Sequence, residues 1–195
     1  GNDESIVAVD TNGSVGANTS LALDKNGFPV ISYRDDVNFD LKLAHCNDPN
    51  CAGGDESIQI VDDFLVGAST SLALDGNGFP VIGYANFFGE LKLAHCNDPN
   101  CAGGNESIRT VDSGGSDSSL VLDRNGFSVI SHSDFPFDSD LRLAHCNDAN
   151  CTGGNESIVA VDTVGLVGSF SSLKLDRNGF PVISYYDGSN GDLKL

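Results

Sequence analysis

One thirteen-residue phrase occurs four times in this chain, and it constrains the fold more than any other feature. It reads LALDKNGFPVISY (Leu21 to Tyr33), LALDGNGFPVIGY (Leu72 to Tyr84), LVLDRNGFSVISH (Leu120 to His132) and LKLDRNGFPVISY (Leu173 to Tyr185). The aspartates Asp24, Asp75, Asp123 and Asp176 mark steps of 51, 48 and 53 residues. A unit of about 50 residues cannot bury its own apolar face, so such units stack on one another as propeller blades or solenoid turns. Four units use all 195 residues and leave no room for a second fold.

Each unit holds four short strand-like runs. In the first copy they are Thr19 to Asp24, Phe28 to Tyr33, Asp40 to Cys46, and Glu56 to Asp62. The Asp-x-Asn-Gly between the first two is a hairpin signal, because Asn and Gly tolerate the positive φ of a tight turn. Pro29 stands where no ladder donor is needed. No run sustains a helical period. In FPVISY both alternating faces are mostly apolar, which suits a sheet covered on both sides. Small residues in the first strand (Ser20, Ala22, Ser71, Ala73) suit a crowded inner edge.

The pattern predicts an all-β, four-bladed β-propeller of four-stranded antiparallel blades. The blades span about 19–62, 70–112 and 118–162, and the last about 171–195 plus 5–10. The last blade borrows residues 5–10 because GNDESIVAVD reads as an outer strand and GDLKL ends on a third strand. Pairing them would complete a fourth blade and remove two open sheet edges. A parallel β-helix is the architectural alternative.

Six cysteines fall in three identical C-x4-C settings: Cys46 and Cys51, Cys96 and Cys101, Cys146 and Cys151. Repeated short spacing favours three local disulfides and an oxidising, secreted or cell-surface setting. Metal binding with His45, His95 and His145 is the rival. Adjacent strand residues point to opposite faces, which separates each His from its neighbouring Cys. The net charge of −18 argues against nucleic acid and against anionic membranes. No apolar run reaches the length needed to span a bilayer.

The phrase S-L-A-L-D-x-N-G-x-P-x-I-S-Y followed by D-L-K-L resembles the blades of secreted bacterial β-propellers in the sialidase-like and tachylectin-like group. That resemblance implies a propeller, and it leaves activity open, since such propellers host lectins, hydrolases, scaffolds and adhesion modules. The sialidase Asp-box S-x-D-x-G-x-T-W is absent, and the chain has no tryptophan.

Comparing the four copies separates constant loops from divergent ones. The D-x-N-G turn and the C-N-D-x-N-C loop hardly change. The connections TNGSVGAN, DFLVGAS, SGGSD and TVGLVGSF diverge, as do RDDVNFD, ANFFGE, SDFPFDSD and YDGSNGD. In an up-and-down blade both divergent sets share one end, and divergent loops on a repeated scaffold are where recognition resides. The candidate ligand residues on that end are Tyr33, Asp35, Tyr84, Asn86, His132, Asp134, Tyr185 and Asp187, with Phe39, Phe87, Phe88, Phe135 and Phe137 in the loops. Rings beside carboxylates and amides suit a glycan. The same groups could instead cap the core and bond turn amides.

The expected role is a non-catalytic extracellular binding module with a glycan or an extracellular protein as partner. The alternative is a structural protein that self-associates through its terminal strands. A glycoside hydrolase ranks third, because no arginine cluster, serine elbow or triad appears. Calcium is the one candidate cofactor, with Asp10, Asp62, Asp112 and Asp162 as candidate ligands and Asp40, Glu90, Asp140 and Asp192 nearby. Sequons stand at Asn12, Asn18, Asn105, Asn150 and Asn155.

Overall fold

A computed structural model describes residues 5–63, 65–135 and 138–195. Among these residues there is no helix, hence none long and apolar enough to cross a membrane. In the described residues fifteen strands form four antiparallel sheets. Sheet 1 holds β1 (Val15–Leu23), β2 (Pro29–Asp35), β3 (Asp40–His45) and β4 (Ser57–Asp62). Sheet 2 holds β5 (Ala68–Leu74), β6 (Pro80–Ala85), β7 (Leu91–His95) and β8 (Ser107–Asp112). Sheet 3 holds β9 (Ser116–Leu122), β10 (Ser128–Ser133), β11 (Leu141–His145) and β12 (Ser157–Asp162). Sheet 4 holds β13 (Val167–Leu175), β14 (Pro181–Asp187) and β15 (Asp192–Lys194). Each sheet is a simple meander in chain order.

The hairpin chemistry is the same in every unit. Asp24 Oδ1 accepts from the amides of Asn26 and Phe28, both at 2.8 Å, while Gly27 takes φ +83°. Asp75, Asp123 and Asp176 repeat this. One carboxylate thus satisfies two turn amides, which sets the register Leu23 to Pro29 and its equivalents. The C-x4-C loops close as disulfides Cys46–Cys51, Cys96–Cys101 and Cys146–Cys151. Within each loop an aspartate caps the turn, as Asp48 does for the amides of Asn50 and Ala52. With the cysteines taken up in disulfides, His45 and His95 tie neighbouring sheets together. His45 Nδ1 lies 2.8 Å from Asn100 Oδ1, in the disulfide loop of the next sheet, and His95 meets Asn150 at the same distance.

Successive sheets stack front to back. Val30, Leu41, Leu43 and Val61 of sheet 1 pack on Leu72, Ile82, Tyr84 and Ala94 of sheet 2. Val81, Leu91, Leu93 and Val111 pack on Leu120, Ile130 and Ala144 of sheet 3. Val129 and Leu141 pack on Leu173, Ile183 and Tyr185 of sheet 4. Burying such side chains contributes about 1.5–3 kcal/mol each. The inner strands lock the junctions: Ser20 Oγ accepts from the Leu72 amide at 3.0 Å, Ser71 from Leu120 at 2.9 Å and Ser119 from Leu173 at 3.0 Å. Glycine permits the close approach beside each lock. A Cβ on Gly67, Gly115 or Gly168 would lie 3.3, 2.6 or 2.8 Å from the Cα of Leu41, Leu91 or Leu141 in the preceding sheet.

The chain's first segment behaves differently from the expectation. Residues 5–10 form no strand, and sheet 4 has three strands, its edge β15 unpaired by residues 5–10. Asp10 is held on sheet 1, where its Oδ2 accepts from Tyr33 Oη at 2.7 Å and from Lys42 Nζ at 2.5 Å. Asp62 serves Tyr84 and Lys92 of sheet 2 in the same way. This anchor holds the segment beside sheet 1.

Candidate functional site

The divergent loops do converge on one end of the stack, and hydrogen bonds staple them. The Val66 amide donates to the Phe39 carbonyl, and the Leu65 carbonyl accepts from the Phe87 amide, both at 2.9 Å. At the last junction Val167 donates to Ser139 and Gly188 to Leu166. The first and last linkers are therefore threaded between the β2–β3 type loops of two neighbouring sheets.

The eight candidate ligand residues lie inside this framework. Tyr33, Asp35, Tyr84, Asn86, His132, Asp134, Tyr185 and Asp187 are all buried. The tyrosine hydroxyls of Tyr33, Tyr84 and Tyr185 donate to Asp10, Asp62 and Asp162. Burial, then the partnering carboxylate, raises the phenol pKa at all three positions. Asp35 accepts from the amides of Val37 and Asn38, and Asp187 does the same for Ser189 and Asn190. Asn86 accepts from the Phe88 and Glu90 amides. Asp134 accepts from the Asp140 amide and pairs with Arg142 at 2.8 Å. The physical reason is position: these side chains end the second strands, where the next loop and the preceding sheet cover them. They set loop shape, and their polar atoms face protein.

The four candidate calcium ligands are also separated: Asp62, Asp112 and Asp162 stand one at each of the three junctions and Asp10 beside sheet 1. Asp10 pairs with Lys42, and Asp162 with Lys194 at 2.9 Å. Asp62 pairs with Lys92. Burial raises the Asp10 carboxyl, but bonds from Lys42, the Asn12 amide and Tyr33 outweigh it and the net shift is downward. Lys194 and Tyr185 hold the Asp162 carboxyl down to about 2. Asp112 faces a variant site, with Arg142 at 3.3 Å and His132 Nε2 at 3.5 Å. Desolvation keeps His132 below its ordinary pKa despite the Asp112 charge. Among the described residues, three carboxylates approach within 4.8 Å at Asp134, Asp138 and Asp140. Burial and the charges of Asp134 and Asp138 raise the Asp140 carboxyl.

What the divergent end does present is a set of exposed rings and a central hollow. Phe39 and Phe87 meet edge to face at 5.4 Å, and the Arg34 guanidinium lies 5.5 Å over the Phe87 ring. Phe88 and Phe135 are exposed, while Phe137 lies outside the described residues. The hollow measures about 310 Å³ and is lined by Asn18, Thr19, Ser69, Thr70, Asp117, Ser118, Phe170 and Ser171, a pair from each inner strand. Its shape comes from a bulge repeated four times. Asn18, Ser69, Asp117 and Phe170 have φ between +49° and +54°, and the inner-strand registers slip at the same places. An L residue in this region costs about 1–2 kcal/mol, so the tertiary contacts must hold it there. They do: Thr70 Oγ1 donates to the Asn18 carbonyl at 2.5 Å, Ser118 to Ser69 at 2.6 Å and Ser171 to Asp117 at 2.9 Å. Burial raises the Asp117 carboxyl, partly offset by the Phe170 amide. Phe170 is 77% exposed, with Tyr186 at 6.4 Å.

Sequence reading passed over these inner-strand residues. The available signal was the mostly polar insertion ANTS, ASTS, SDSS and SFSS ahead of each Leu-x-Leu, out of step with strand alternation.

No protein-family model matches the chain, and no curated protein matches it. Solved structures do. A protein of unknown function from Dyadobacter fermentans superimposes with TM-score 0.63 at 16% identity, covering 86% of this chain and 48% of its own. The NanB sialidase of Streptococcus pneumoniae gives 0.56 at 12% identity, covering 89% and 28%. The fold is propeller-like. An endo-1,4-beta-xylanase from Bacteroides thetaiotaomicron gives 0.54 at 12% identity, covering 90% and 73%. The chain thus spans 48% of the first protein and 28% of the sialidase.

Proposed function

We propose that the chain is an extracellular glycan-binding module whose ligand enters the central hollow from the divergent loops. The observation that carries the reading is the hollow itself, where four inner strands present short polar side chains beside the exposed Phe170 ring. Sugar recognition needs this combination, a ring for the apolar sugar face and a few placed acceptors and donors for hydroxyls. The sialidase and the xylanase among the similar structures are named for action on glycans, which supports the ligand class. Three disulfides suit an oxidising environment, which supports a secreted or surface location. The buried tyrosines are unsuitable probes, since removing them opens the core. The test is a glycan array with Phe170→Ala and Asp117→Asn. Binding that both changes abolish is the expected result; no binding, or binding indifferent to both, removes the reading.

Hydrolysis is a second reading, favoured by the Asp134, Asp138 and Asp140 cluster. A carboxyl whose pKa is raised, as burial and its neighbours raise Asp140, is the kind of group a general acid requires. Turnover of chromogenic glycosides that Asp140→Asn abolishes would establish it, and no turnover across a broad panel removes it.

A further inference from the structure

At its bulge each inner strand carries one constant residue and one changing residue, and the two have different duties. The constant residue is a hydroxyl, namely Thr19, Thr70, Ser118 and Ser171. At the three junctions this hydroxyl is spent on structure. Thr70, Ser118 and Ser171 donate to the carbonyls of Asn18, Ser69 and Asp117 in the preceding sheet. Ser32 and Ser131 of the second strands meet Thr70 and Ser171 at 3.1 and 2.9 Å. The changing residue stands just before the hydroxyl and differs in every unit: Asn18, Ser69, Asp117 and Phe170. The bond to the next sheet uses its backbone carbonyl, so the lock makes no demand on its side chain. Four like strands thus present four unlike groups to one hollow.

Asp117 sets the electrostatics of that hollow. It is the one charged residue among those lining it. It is half-buried and its carboxyl accepts the Phe170 amide. Among the described residues no Lys, Arg or His forms an ion pair with it. Burial raises this carboxyl, as it does for a negative charge held without a counter-charge. The net charge of −18 adds to the negative potential, which a cleft focuses. An anionic sugar is repelled from such a place, and a neutral one leaves the carboxylate uncompensated. An ammonium brings three donors and no acceptor, and its charge is attracted to the face of an aromatic ring. Asp117, the oxygens of Asn18 and Ser69, and the Phe170 ring are the matching set.

Resting on the glycan-binding reading above, we propose that the hollow selects a cationic amino sugar, a hexosamine whose amine is free, with Asp117 taking the ammonium and Phe170 the sugar face beside it. The N-acetylated sugar lacks the charge and replaces the ammonium donors with one amide. A charge-assisted bond is about twice as strong as a neutral one, so the carboxylate separates the two forms.

The test is isothermal titration calorimetry with the β-1,4-linked glucosamine disaccharide and its N-acetylated counterpart, at about pH 6.5, where an amine of this kind keeps its proton. The free amine form is expected to bind at least about tenfold more tightly, the effect of one hydrogen bond to a charged group. Asp117→Asn lowers its affinity by the same factor and removes the preference. This variant keeps the fold, because asparagine already occupies the position in sheet 1 at φ +51°, against +49° at Asp117. Asp55→Asn deletes one charge at the opposite end and installs the residue found at Asn105 and Asn155; it leaves the preference unchanged, which separates the site from bulk attraction. Equal affinity for the two sugars, tighter binding of the acetylated one, or a preference that survives Asp117→Asn overturns this inference and leaves the glycan reading standing. A preference that Asp55→Asn removes as fully as Asp117→Asn also overturns it. Failure of both disaccharides, together with an empty glycan array, removes the two readings at once.

Discussion

Replacing Tyr84 by Phe tests whether the tyrosine–carboxylate clamps hold the sheets together. Tyr84 is fully buried between sheets 1 and 2, and its hydroxyl donates to Asp62 Oδ2 at 2.5 Å. The same oxygen takes Lys92, which also lies 5.5 Å over the Tyr84 ring. Phenylalanine keeps the ring, the packing and the cation–π contact, and removes the hydrogen bond alone. A hydrogen bond to a charged group is worth about 1.5–3 kcal/mol. Asp62 retains Lys92, so the carboxylate is not left bare and a loss of about 2 kcal/mol is expected. For a chain of this length that corresponds to a fall in Tm of about 4–8 °C. Differential scanning calorimetry at neutral pH measures it, with Tyr186→Phe, an exposed ring, as the control. Tyr33→Phe and Tyr185→Phe remove the same bond at the two terminal sheets and should cost less, because water reaches those clamps more readily. A Tyr84→Phe protein that melts with the wild type, or above it, refutes the claim that these clamps bind sheet to sheet.

Three further outcomes follow from the same geometry. His132→Tyr restores the residue found in the other three repeats and offers Asp112 a hydroxyl, where the buried imidazole makes no hydrogen bond; Tm rises. Because burial depresses the His132 pKa, the unfolded chain binds the proton more readily, so stability falls as pH drops below about 6.5, and His132→Tyr flattens that part of a Tm-versus-pH curve. Asp162 is depressed to about 2, so its contribution is complete above the unfolded carboxyl pKa of about 3.9 and is lost as pH falls from there through 2; Asp162→Asn lowers Tm at neutral pH and removes the loss on acidification. Opening the Cys96–Cys101 loop by a double change to Ala costs about 2 kcal/mol in urea unfolding, since the loop is short and its closure entropy small.

Much of the local structure is legible in the residues alone because it depends on near neighbours. Asp24 and Gly27 specify a turn through bonds that span four residues, and Cys46 reaches Cys51 inside one loop. Strand alternation and the four-fold repeat then leave little choice but stacked antiparallel sheets. The candidate site was less legible. Tyr33, Tyr84 and Tyr185 look like exposed strand-end aromatics, and their fate is decided by Asp10, Asp62 and Asp162, each more than twenty residues upstream and in a preceding segment.

The repeat by itself determined the four units, all their strands but the one expected over residues 5–10, the tight turns and the cysteine pairing, all of which arise from contacts within about fifty residues. Only the tertiary arrangement decided which polar groups face solvent. A Tyr or Asp side chain carries no mark of whether another sheet will cover it, and that depends on how neighbouring sheets stack. The same stacking bent Asn18, Ser69, Asp117 and Phe170 into positive φ around one hollow. Short-range bonding is written in each unit; the order in which units bury one another is a property of the whole stack.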